Sequence, residues 1–335
     1  MSFTFADTSD ALICGFVLAP NQPGRAINLT EALAWLSSGP AATSAEFLWL
    51  HFNLTDTSAE KWMQSHLALP PEFFEALRAG SRSTRIEDAS DNLIAVVNDV
   101  AFEFSFDPSE IASLWLSVSE RVAVSARIHP LRSIDRLRQA VRDGARFGST
   151  VELLNHLLDD QGDVLVRIVR DATVQVDAIE DSLLGGRNLQ PKRADLGKLR
   201  RVLVRLQRLL APEPGALFRL LRQPPPWVAA HDLDELRQST EEFSLVIRDV
   251  SALQERIKLL QEEMAAQVGE QTNRSVFTLT VVTVLALPIN IIAGLLGMNV
   301  GGIPLAENSH GFFIIAVIVL TFTVVAGWLA FRKKD

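Results

Sequence analysis

Apolar positions fall in short segments through the first 128 residues and at helical spacing after that. Strand-like runs occupy Ala11–Leu18, Phe47–Phe52, Leu93–Asn98, Val100–Phe106 and Leu114–Ser119. In Arg121–Arg127, Val122, Val124 and Ala126 alternate with polar residues, the two-residue period of a half-buried strand. Helical patches lie near Thr30–Leu36, Ser58–Leu67 and Pro71–Ala79, with Thr30 and Ser58 as N-caps. Residues 1–128 are therefore expected to form a mixed α/β domain.

From about His129 the pattern turns helical, and 129–274 reads as a helical stalk. Leu131–Asp143 is one expected helix, and Val151–Leu184, interrupted by Gly162, is a second. A third covers 191–210, dense in Lys192, Arg193, Lys198, Arg200, Arg201, Arg205 and Arg208, and is expected to lie beside the acidic second helix. Pro212, Pro214 and Pro224-Pro225-Pro226 punctuate the end of this region. Next, Phe243, Val246, Val250, Leu253, Ile257, Leu260 and Met264 repeat at alternating steps of three and four, a heptad seam. With no proline between Trp227 and Pro288, one helix on the order of 100 Å long is expected to enter the apolar end of the chain. A joint near Gly269 is the alternative.

Residues 275–335 form the third region. No charged side chain occurs in 275–306, and Val276–Leu296 is long enough to cross a ~30 Å hydrocarbon core. A second uncharged run, 311–331, ends in Arg332-Lys333-Lys334. Two spans, 275–297 and 311–331, give a multi-pass membrane protein. The connecting loop has no Lys or Arg, whereas Lys258, Arg274 and Arg332 to Lys334 flank the spans, so both termini are expected in the cytosol. The fold class is thus an α+β membrane protein: an α/β front, a long helical stalk and two C-terminal transmembrane helices.

Charge and composition narrow the function. A net charge of −8 argues against a nucleic-acid partner. The one cysteine, Cys14, excludes an intrachain disulfide and a Cys-rich zinc cage. The N-terminus has no signal-peptide pattern. No phosphate-binding glycine loop or nucleophile setting points to an enzyme, and no bound cofactor is expected.

The first span carries a polar stripe. Thr283, Leu287, Asn290, Gly294 and Met298 recur at steps of three and four, and Val276 and Asn273 extend the same face. An amide such as Asn290 is costly in hydrocarbon unless it meets partners or water. Two helices cannot enclose a channel, so a pathway needs several copies with this face towards a shared axis. A membrane-tethered scaffold, whose spans only anchor a coiled coil, is the competing reading; it gives no role to Asn290.

Gly297-Met298-Asn299 at the end of the first of two terminal spans resembles the CorA superfamily of divalent-cation transporters. Ala286 to Gly294 is similar to that family's first span. Gly297-Met298-Asn299-Val300-Gly301-Gly302-Ile303-Pro304 and Phe47-Leu48-Trp49-Leu50-His51-Phe52-Asn53 resemble its ZntB zinc-transporter branch. The resemblance implies a homopentamer in the bacterial inner (plasma) membrane, with zinc as transported ion and possible proton coupling; magnesium or cobalt is the alternative cargo. It assigns Gly297, Met298 and Asn299 to the pore mouth, and Asn290, Thr283, Leu287 and Asn273 to its wall.

Amide and carbonyl oxygens of Asn299 and Gly297 suit a hydrated dication, which is expensive to strip. Leu287 or Met298 suits a dewetting gate. Glu307 and His310 are candidates for an entrance ring. The spans hold no Cys, His or carboxylate, so no inner-sphere zinc site is expected within the hydrocarbon. Efflux of a dication against 100 mV costs about 4.6 kcal/mol, which favours uptake. Glu152, His156 and Asp160, four residues apart on one helix face, are a candidate cytosolic metal site.

Overall fold

The computed structural model describes residues 11–38, 45–80, 85–89, 91–101, 104–184, 189–298 and 308–332. The chain divides into two compact units, 1–260 and 261–335. Among the described residues the first contains seven strands: β1 (Leu12–Ala19), β2 (Gln22–Ile27), β3 (Phe47–Asn53), β4 (Arg85–Ala89), β5 (Asn92–Val100), β6 (Ile111–Val118) and β7 (Val122–Arg127). They form one sheet in the order β2-β1-β3-β7-β6-β5-β4. Only the central β3–β7 pair is parallel; every other neighbour is antiparallel.

Helices α1 (Leu29–Ser37), α2 (Thr57–His66) and α3 (Pro71–Ala79) cover one face of the sheet, around Leu48, Leu50, Phe52, Met63 and Phe73. Helices α4 (Arg132–Arg142), α5 (Thr150–Leu184) and α7 (Pro212–Arg222) cover the other, around Phe16, Trp49, Leu116, Ile134 and Leu217. With both faces covered, β7 is buried on both sides, not half-buried as its alternation suggested.

Several expected boundaries move for local reasons. Asn28, not Thr30, caps α1: its Oδ1 accepts the Glu31 N–H at 2.9 Å while the Glu31 carboxylate accepts the Asn28 N–H at 2.9 Å. Asp56, not Ser58, caps α2, accepting the Ser58 N–H at 2.8 Å. Leu93–Asn98 extends to Val100 as β5; of the expected strand Val100–Phe106, residues 102 and 103 lie outside the described residues and 104–106 are not in a strand but lead into a capped turn of 3₁₀ helix closed by Asp107 and Glu110. Gly162 does not interrupt α5, which runs for 35 residues. The helix before Pro212 does end, at Leu210, and Pro212 and Pro214 then start a further helix, α7, where a first turn needs no proline N–H.

Between α5 and α7 lies α6 (Leu189–Leu210), and α8 runs unbroken from Ala230 to Leu296, with Gly269 and Pro288 inside it. The heptad positions Phe243, Val246, Val250, Leu253, Ile257 and Leu260 are all buried. They sit against this chain's own helices. Gln207 of α6 donates to Ser251 at 2.7 Å, Gln254 donates to the Leu203 carbonyl at 2.8 Å, and Arg256 pairs with Asp177 of α5 at 2.7 Å and with Glu180. Asp177 and Glu180 of α5 therefore meet α8 at this level. In the second unit α8 continues into its apolar half, and α9 (Gly311–Arg332) follows.

A polar network is buried at the centre of the sheet. Trp49 Nε1 donates to Ser125 Oγ at 3.0 Å, and His51 Nδ1 lies 2.8 Å from the same oxygen. Arg127 Nε donates to His51 Nε2 at 3.0 Å, so the ring proton sits on Nδ1 and points at Ser125. Burial, reinforced by the nearby Arg127 and Arg138, pushes the His51 pKa down to about 3 and keeps the ring neutral. Arg127 in turn meets Asp135 of α4 at 3.4 Å. Asp99 on β5 accepts the Ser133 N–H at 2.7 Å, so a sheet carboxylate caps α4, whose own N-cap, Leu131, has no side-chain acceptor. Burial pushes Asp99 up to about 6.

Candidate functional site

The apolar halves of α8 and α9 are long and hydrophobic enough to cross a membrane, and almost none of their side chains is buried within the chain. Leu279 and Phe312 are 67% and 84% exposed, the opposite of a soluble core helix.

Within this unit the two helices approach through one face of α8. Ile289, Ile292, Ala293 and Leu296 line a groove of about 940 Å³ with Phe312, Ile315, Ala316 and Val319 of α9. A Cβ placed on Gly327 would meet Leu285 at 4.0 Å, so the contact extends further down α8. The stripe singled out in the sequence lies elsewhere. Asn273, Val276, Thr283, Leu287, Asn290, Gly294 and Met298 are all exposed. At 3.6 residues per turn, the stripe is centred roughly 150° around the helix from the α9-facing positions. The single chain therefore gives its apolar face to α9 and leaves the stripe that holds Asn290 without an intrachain cover.

Local chemistry qualifies the role of each stripe residue. Thr283 Oγ1 donates to the Leu279 carbonyl at 2.8 Å, so the hydroxyl presents lone pairs and no proton. Pro288 has no N–H, which deprives the Val284 carbonyl of its helical donor without breaking α8. The helix ends at Leu296, and the Gly297 N–H donates to the Ala293 carbonyl at 3.0 Å. A Cβ on Gly297 would stand 3.1 Å from that oxygen, a tight approach that glycine avoids. Asn299 and Glu307 lie outside the described residues, as do Lys333 and Lys334 of the basic anchor. His310 is exposed just before α9, with Nδ1 at 3.0 Å from Ser309 Oγ and its N–H bonded to Asn308 Oδ1 at 2.9 Å.

The cytosolic candidates are arranged differently from a simple helix face. Glu152 reaches back to the Gly148 N–H while its own N–H is capped by Ser149 Oγ at 2.9 Å, so this carboxylate is engaged at the start of α5. His156 and Asp160 do come together, at 3.6 Å, but Asp160 also holds Arg136 at 3.2 Å. Burial raises the pKa of Asp160. Among the described residues, His231, Asp232 and Glu235 of α8 bring their ligand atoms within 4.8 Å of one another. Sequence reading missed this trio, although its i, i+1, i+4 spacing is a signal. Asp232 is already committed to the Ser149 hydroxyl at 2.8 Å.

Similarity to known proteins extends over the whole arrangement. The chain is 28% identical over 326 residues to the divalent cation transporter CmaX of Pseudomonas aeruginosa, covering 96% of each. It is 25% identical over 300 residues to the zinc transport protein ZntB of Yersinia enterocolitica, covering 89% of this chain and 91% of that one. The structure of full-length CmaX superposes with a TM-score of 0.82 at 25% identity, over 99% of this chain and 100% of that one. The family model described as CorA-like Mg2+ transporter protein matches residues 44–334, from the start of β3 through both apolar helices. This chain belongs to the CorA family of membrane transporters for divalent cations and is not an enzyme.

Proposed function

We propose that five copies of this chain form a pore through the bacterial inner membrane that admits zinc to the cytosol, with both termini on the cytosolic side. The observation that carries this reading is the exposed stripe of α8 opposite α9, which has polar and small side chains at Thr283, Asn290 and Gly294. A helix that merely anchored a scaffold would have no use for an amide there. The likeness to ZntB supports zinc as the ion. In this reading Asn299 and Gly297 form the mouth, Glu307 and His310 the entrance, and Leu287 and Met298 the apolar constrictions.

The ion crosses with its water shell, because 275–297 and 311–331 contain no Cys, His or carboxylate to replace that water. A proton has no relay group in these spans either, so the membrane potential drives uptake. The same lack of soft ligands favours a second reading, in which magnesium is the cargo. Flux into liposomes containing the purified protein separates the two. Zinc entry that outcompetes magnesium and is abolished by Asn299→Ala supports the first. Magnesium entry unaffected by zinc supports the second, and assembled protein with no dication flux overturns both.

A further inference from the structure

We propose that the cavity at the carboxyl end of β7 binds a small oxyanion, a phosphate or carboxylate group, between the guanidinium groups of Arg127 and Arg138.

Arg127 is the last residue of β7, which runs parallel to its neighbour β3. Open α/β sheets bind ligands at that end of their parallel strands, where neighbouring connections part. Here the end opens on a cavity of about 700 Å³ lined by Arg127, His129, Pro130 and Arg138, with Ser109 and Glu110 of the 3₁₀ turn. That volume suits a small organic anion.

Arg127 is 8% exposed, yet its guanidinium is incompletely paired. Nε donates to His51 at 3.0 Å and Nη2 approaches Asp135 at 3.4 Å. Among the described residues Nη1 has no acceptor. Asp135 is also shared, since Arg138 Nη2 lies 3.1 Å from the same carboxylate oxygen. Two guanidinium groups thus divide one oxygen, and the wall of the cavity holds donors in excess. His129 is exposed at this wall and adds an imidazole with no partner among the described residues. Glu110, the other carboxylate on the wall, is taken up in its own turn. It accepts the Ser105 N–H and the Ser105 hydroxyl, both at 2.6 Å, and the Asp107 N–H at 3.3 Å.

Two neighbouring groups register the local field. The His51 pKa is lowered by burial first and then by Arg127 and Arg138. The Cys14 thiol is pushed up to about 12 by burial, while Arg138, Arg142 and Arg127 pull it back against Asp135 alone. This edge of the sheet is therefore electropositive, in a chain whose net charge is −8. An oxyanion between two planar guanidinium groups gains charge-assisted, forked hydrogen bonds, strengthened where water has been excluded.

The test uses the purified full chain in metal-free buffer. Isothermal titration measures binding of inorganic phosphate, glycerol phosphate and succinate, each against sodium chloride at equal ionic strength. Saturable binding of at least one, with a Kd below about 1 mM, is expected. Binding of either phosphate assigns a phosphoryl ligand, and binding of succinate alone assigns a carboxylate. Arg138→Gln should weaken the binding about tenfold, and Arg138→Lys less, because lysine keeps the charge and loses the fork. His129→Gln leaves the Arg127–His51 pair untouched and should weaken binding about threefold. Arg78→Gln, on α3 across the sheet, should leave it unchanged. Unfolding midpoints without anion are compared for every variant, and if Arg138→Gln lowers its own, Arg138→Lys and His129→Gln carry the comparison. No saturable binding of any of the three oxyanions overturns the proposal, and so does equal affinity in the parent and in the Arg138 and His129 variants.

Discussion

Two serines in the sheet provide a matched test of the buried polar network. Ser125 and Ser117 are 0% and 1% exposed, on neighbouring strands β7 and β6. Both lose one oxygen when changed to alanine. Ser125 Oγ receives Trp49 Nε1 at 3.0 Å and His51 Nδ1 at 2.8 Å, so Ser125→Ala strands two buried donors. At about 1–3 kcal/mol for each unsatisfied group, the expected loss is about 2–6 kcal/mol. Among the described residues Ser117 Oγ has no hydrogen-bond partner, so Ser117→Ala removes an unsatisfied buried hydroxyl and should be neutral or stabilising by about 1 kcal/mol. For a domain of this size the first change corresponds to a fall of roughly 4–15 °C in the unfolding midpoint and the second to a small rise. Thermal unfolding of the purified full chain, followed by tryptophan fluorescence, measures both, and Trp49 reports from within the network. Equal destabilisation by the two substitutions would refute the reasoning, since it would mean that oxygen volume matters and partners do not.

Further expectations follow from the same geometry. His51 is held neutral in the fold with a pKa near 3 against 6.5 when free, so the unfolded chain takes up a proton first and stability falls as pH drops from about 6.5 towards 3. Asp99, raised to about 6, acts in the opposite sense: its contribution is present below about 3.8 and lost as pH rises through 6. His51→Gln removes the histidine effect alone, so the stability gap between parent and variant should narrow between pH 7 and pH 4 in denaturant titrations; a constant gap would contradict a neutral buried ring. In the proposed pore, Asn290→Leu should lower dication flux at least about tenfold, because an apolar ring would replace an amide ring, whereas Thr283→Val should change it less than about threefold because that hydroxyl proton already serves its own helix. Liposome flux at matched protein density separates these two outcomes. Leu287→Ser should raise resting leak by wetting the proposed constriction, visible as a current or flux without added driving ion.

Much of the architecture was legible because it rests on periodicity. The heptad seam from Phe243 to Leu260 and the uncharged runs of α8 and α9 follow from spacing and composition, and each is present in the structure. The short strands β2 and β4 were not legible. Gln22–Ile27 and Arg85–Ala89 are polar edge strands whose pairing is set by β1 and β5, and an edge needs no continuous apolar signal. Helix α7 was hidden by two prolines that act as starters at its N-terminus. Ser125 and Arg127 looked like the solvent side of a half-buried strand; only the second helical layer, together with His51 and Asp135, makes them interior. The stripe around Asn290 was visible as a shared helical phase. Its position opposite α9 required the three-dimensional pairing of the two helices.

Aqueous accessibility along α8 tests the central claim most directly. Single cysteines at Thr283, Leu287, Asn290 and Gly294, and at Leu285, Ile289, Ile292 and Leu296, are treated in liposomes with a small charged thiol reagent while dication flux is recorded. The account predicts rapid labelling and block of flux at the first four, and protection at the second four. Labelling confined to the second set, or equal at all eight positions, would contradict it.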